Sequence, residues 1–146
     1  MTALNPAEAL VRRFWALYQA RRWAEAQALL AEQAVCDWPA TLERYVGAAE
    51  VVHVNAVYPE GWSIHLLELN TLTDGRVHAL VRVDQGEASF YANGFYRVSG
   101  DRIAGLSEYW SDVQPAPAWR RDPSAPLPGQ QRLPRDERQG LDLALD

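Results

Sequence analysis

The chain has a single cysteine, Cys36, in 146 residues, which excludes an internal disulfide and fits a reducing compartment, the cytoplasm. It lacks a basic excess: the net charge of -5 has the wrong sign for a nucleic-acid partner. The start, MTALNPAEAL, has no basic segment followed by an apolar run, so no secretion signal is expected. No apolar stretch approaches the length of a membrane span. A glycine-rich phosphate loop is missing, which argues against a nucleotide cofactor. No two histidines have helical metal-ligand spacing and no second cysteine can join them, so neither a metal nor any other cofactor is expected. There is no internal repeat. What is present is enough chain for one domain with a real core, and an aromatic set that includes six Trp and six Tyr. Aromatics in that number fill a core, line a pocket or form an interface.

Local patterns set the expected elements. Asn5, Pro6 and Glu8 form a variant of the capping box, and Leu10, Val11, Phe14, Trp15 and Tyr18 follow at helical spacing. This predicts a helix from Pro6 to about Ala20. A second helix is expected over Trp23 to Glu32. Residues 34–46 contain Pro39 and no helical period, so a short strand or loop is expected there. A third helix over 48–58 is stopped by Pro59 and Gly61. Thereafter WSIHLLELNTL, RVHALVRVD, ASFYANGFYRV and RIAGLSEYWSDV read as strands separated by TDG, QGE and SGD turns. Three tight turns in succession imply a four-stranded antiparallel meander. Its first strand is apolar on both faces, Ile64 and Leu66 on one, Leu67 and Leu69 on the other. Both faces are therefore expected to be covered, one by helices and the other by a second subunit. Six of the nine prolines fall in residues 115–146, which predicts an extended tail. Trp119 is expected to anchor its first part, and Leu141, Leu143 and Leu145 either dock or fray.

The segments RRFWALYQARRWAEAQALLAE, VCDWPA, YPEGW, YANGFYRV, RIAGLSEYW and PAPAWR carry a resemblance that spans roughly residues 6–121. The chain resembles nuclear-transport-factor-two-like (NTF2-like) proteins, and among them SnoaL-like bacterial members. The resemblance implies an α+β cone: three N-terminal helices packed on a curved antiparallel β-sheet, followed by an extended Pro-rich C-terminal tail. Residues 1–121 would form the cone and 122–146 the tail. That superfamily includes isomerases, cyclases, epoxide hydrolases, binding proteins and dimerisation modules, so fold alone does not choose among them.

The resemblance also nominates residues. Asp37 matches a general-base aspartate of ketosteroid isomerases, with Trp38 inserted before Pro39. The bland alternative is a strand-end residue paired with Arg44 or with local amides. Trp110 matches a pocket tryptophan of the last strand, and strand parity puts Glu108 on its face. The alternative for Glu108 is a salt bridge with Arg97 or Arg102. The isomerase's second acid falls near Gly94 and its oxyanion tyrosine near Phe14 or Trp15, so both donors are missing at those positions, which argues against a steroid isomerase. His53 on the third helix is a further candidate. The expected catalytic set is thus Asp37, Glu108 and His53, with Trp15, Tyr18, Trp38, Tyr96 and Trp110 binding a ligand. Cys36, next to Asp37, is expected on the opposite face and is not proposed as a nucleophile. The expected partner is a small apolar molecule, with no nucleic acid and no membrane, in a homodimer. The reaction implied is proton transfer on a small carbonyl or epoxide compound. The alternative is a non-catalytic ligand-binding or structural dimerisation module.

Overall fold

The structure, a computed structural model, describes residues 3–145. The elements run α1 (Pro6–Gln19), α2 (Trp23–Ala28), β1 (Leu30–Trp38), a 3-10 turn (Pro39–Thr41), β2 (Glu43–Val46) and α3 (Ala48–Ala56). Then come β3 (Trp62–Thr71), β4 (Val77–Gln85), β5 (Ala88–Ser99) and β6 (Arg102–Asp112). Asn5 caps α1 as its sequence predicts: its side chain accepts from the Glu8 amide at 2.8 Å, and the Asn5 amide donates to Glu8 Oε1 at 3.1 Å.

One sheet holds all six strands in the order β2-β1-β6-β5-β4-β3. β3 to β6 form the expected antiparallel meander, with Gly86 and Gly100 at positive φ in the last two hairpin turns. The sheet as a whole is mixed, because β1 lies parallel to β6. This corrects the all-antiparallel expectation and also shortens the second helix. Helix α2 stops at Ala28 because the next residues pair with β6, Leu30 opposite Ile103 and the Ile103 amide bonded to the Leu29 carbonyl at 2.8 Å. Tertiary pairing outweighs the modest propensity of a short helix.

The helices cover the inner face of the sheet, where Val11, Phe14 and Leu17 of α1 meet Leu66, Val81 and Ile103. Each fully buried aliphatic or phenyl side chain of this kind contributes about 1.5–3 kcal/mol. Part of the outer face is covered by the chain's own C-terminal residues. The Tyr91 hydroxyl donates to Asp136 at 2.9 Å, Arg135 donates to Ser89 Oγ at 2.8 Å, and the Leu141 amide donates to the Leu66 carbonyl at 2.8 Å. Asp136 also pairs with Arg82 at 3.3 Å, an outer-face arginine that this cover leaves buried. Leu141, Leu143 and Leu145 dock against the core. Trp119 does not anchor the segment: it is 67% exposed, in a short 3-10 turn, Ala118–Arg120. Among the described residues no helix is long and apolar enough to cross a membrane.

Candidate functional site

The site begins with strand parity. On β1, Ala34, Cys36 and Trp38 point inward, and Val35 and Asp37 point outward. On β6, Leu106, Glu108 and Trp110 point inward. The two strands lie side by side, so Trp38 and Glu108 meet across the inner face. Trp38 Nε1 donates to Glu108 Oε1 at 3.0 Å, and the Tyr96 hydroxyl of β5 donates to Oε2 at 2.9 Å. Trp15 Nε1 of α1 donates in turn to the Tyr96 oxygen at 3.1 Å, which fixes the phenol from behind. Cys36 Sγ lies 4.0 Å from Oε1, a weak S–H donor at most.

Glu108 is 3% exposed. Among the described residues no arginine or histidine forms an ion pair with it, and the expected partners Arg97 and Arg102 face elsewhere. Burial pushes its carboxyl above the usual glutamate range, and the Trp38 and Tyr96 hydrogen bonds partly oppose that. The Trp110 N–H, whose geometry falls short of a hydrogen bond, opposes it further. Burial and the neighbouring carboxylate also raise the Tyr96 and Tyr18 phenols and the Cys36 thiol, so these groups stay neutral.

Above Glu108 opens a cavity of about 370 Å³. Trp15, Tyr18, Trp38 and Trp110 line it, with Glu108 in its wall. Trp62, Phe90, Asn55 and Tyr58 complete much of the rest, and sequence reasoning missed them. A usable signal existed for Trp62, which shares the inward parity of Ile64 and Leu66 at the start of β3. The volume falls within the usual range for small-molecule sites, about 300–1,000 Å³.

Three nominated residues stand elsewhere. Asp37 lies on the outer face in a bidentate pair with Arg44, at 2.7 and 3.0 Å. The Arg44 guanidinium holds its carboxyl below the usual aspartate range. Cys36 and Trp38 on either side of Asp37 take the inner face, and a period of two sends the residue between them outward. Cys36, expected outside, is therefore the inward one. His53 is exposed on α3, whose inward side carries Val51 and Val52. Tyr96 is fully buried but sits behind the wall: its ring lies over Gly94, and its hydroxyl occupies the space a Gly94 side chain would fill.

The sequence matches no protein-family model, and no curated protein matches it. Solved structures do. A candidate ketosteroid isomerase from Kribbella flavida superposes with a TM-score of 0.73 at 26% identity, over 92% of this chain and 96% of its own. A candidate SnoaL-like polyketide cyclase from Shewanella putrefaciens gives 0.63 at 6% identity, over 74% and 91%. An LEH-like epoxide hydrolase from M. tuberculosis gives 0.59 at 17% identity, over 73% and 83%. The chain has the fold of NTF2-like proteins.

Proposed function

We propose that the cavity binds a small molecule and that Glu108 transfers a proton on it, the substrate being a small carbonyl or epoxide compound. The observation that carries this is a fully buried carboxyl in the wall of an aromatic cavity, its two oxygens held by Tyr96 and Trp38. A carboxyl with a raised pKa exchanges protons near neutral pH more readily than an ordinary glutamate. Asp37 and His53 take no part in this reading, because neither reaches the cavity.

Two generic substrates test it. Cyclohex-3-enone reports isomerisation to the conjugated enone, and 5-nitrobenzisoxazole reports proton abstraction from carbon. Glu108→Gln is expected to lower either rate at least about 100-fold, the usual scale for a positioned base. Asp37→Asn is expected to leave it within twofold. Equal rates in wild type and Glu108→Gln, or no activity on either compound, would leave the non-catalytic alternative, ligand binding alone.

Self-association remains a separate proposal. The surface for it narrows to the part of the outer face not covered by residues 135–145, where Val46 and Tyr109 are exposed. Sedimentation at micromolar concentration is expected to show a dimer, and Tyr109→Glu to weaken it. A monomer at that concentration would dismiss it.

A further inference from the structure

Glu108 carries a feature the proton-transfer reading does not use: when ionised it is a buried charge without a counter-ion. Its hydrogen-bond donors are two neutral groups, Trp38 and Tyr96. The other ionisable residues lining the cavity are Glu43 and Asp112 at its exposed rim, together with the phenols Tyr18 and Tyr58. Among the described residues no arginine or histidine lines it, and the wall they form holds three carboxyl groups and no cation. Its remaining surface is largely π-system, with Trp15, Trp38, Trp62 and Trp110 around one volume. Arg21 stacks 3.2 Å from the centre of the Trp62 ring and pairs with Glu60 at 2.9 Å, outside the cavity lining.

Burying an unpaired charge is costly, and the cost is relieved only by protonation or by an opposite charge. Aromatic rings attract a cation through their quadrupoles, by about 0.5–2 kcal/mol each and more strongly where water is excluded. The rim carboxylates add a field of the same sign at the entrance. An anion meets the repulsion of these carboxylates, with the unpartnered Trp62 and Trp110 N–H groups as donors on the other side of the balance.

We infer that the ligand of this cavity is a small organic cation, an amine or quaternary ammonium whose positive group lies among the tryptophans and supplies the counter-ion of Glu108. The inference rests on the reading of the cavity as the ligand site, and it narrows the substrate to a carbonyl or epoxide compound bearing a cationic nitrogen. Binding such a cation favours the ionised carboxylate, so affinity rises with pH through the titration of Glu108. The titratable groups facing Glu108 are Cys36 from β1, Tyr18 from α1 and Tyr96 from β5; all three stay neutral over that range.

Three probes of similar size test it on the full chain: phenyltrimethylammonium, its neutral isostere tert-butylbenzene, and the anion phenylacetate. The cavity tryptophans report binding by fluorescence. The cation is expected to bind at least tenfold tighter than the isostere, with phenylacetate weakest. Glu108→Gln should erase most of that preference and leave tert-butylbenzene unchanged. Asp112→Asn, at the exposed end of β6, should reduce it about twofold even if Glu108→Gln does not fold. If the isostere binds as well as the cation, the cavity reading stands and the cation inference falls. If none of the three binds, both fall.

Discussion

Asp37 and Cys36 are adjacent, yet one is bonded to a surface arginine and the other lies 4.0 Å from a buried carboxylate. A one-residue error of parity in reading β1 exchanged their roles. The buried acid of the cavity wall is therefore Glu108. Tyr96→Phe removes one of its two strongest donors, and a hydrogen bond to a charged group contributes about 1.5–3 kcal/mol. The Glu108 carboxyl is then expected to rise further and activity to move to higher pH, as a pH–rate profile on 5-nitrobenzisoxazole would record. Asp37→Asn removes only a partly exposed ion pair, worth about 0–1 kcal/mol. Denaturant titration should find a loss within that range and an unchanged cavity.

The elements differ in how far local sequence determined them. Helix α1 announced itself through Asn5, Pro6, Glu8 and its apolar stripe, and the meander through its turns and β-rich runs. The boundary between α2 and β1 was hidden, because Leu29 and Leu30 suit a helix face and only the distant Ile103, bonded to the Leu29 carbonyl, draws Leu30 into a strand. The C-terminal segment was hidden for a similar reason: Asp136 acquires meaning only opposite Tyr91 and Arg82. Gly140, at φ +76, sits where a Cβ would collide with the Leu66 carbonyl, so this contact admits no side chain. Truncation after Pro134 uncovers the docked leucines and the buried Arg82, and should cost more than about 2 kcal/mol. Trp119→Ala should cost under about 0.5 kcal/mol, the usual range for a surface change. Gly140→Ala should loosen the segment, seen as faster amide exchange at Leu141.

For the whole molecule, the cone and the aromatic lining were legible because period and composition are local properties. The candidate site was legible in part: parity with Trp110 gave Glu108, whereas the contact of Trp38 with it depends on a parallel β1–β6 pair, which is invisible to a reading by adjacent turns. The same buried carboxyl couples the fold to pH. Its folded pKa lies above its unfolded value, so the native state holds the proton more tightly. The stability this adds is complete below the unfolded value, about 4.3, and is lost as pH rises through the folded one. Glu108→Gln has no such proton, so its melting temperature relative to wild type should climb across that window. The most direct test of Glu108 as the ionisable centre is a carbon-13 NMR titration of the side-chain carboxyls, with Glu108 and Asp37 assigned by their amide variants. Glu108 is expected to titrate above about 4.3 and Asp37 below about 3.9. A Glu108 carboxyl titrating at or below the ordinary glutamate value, with Asp37 raised, would contradict the account.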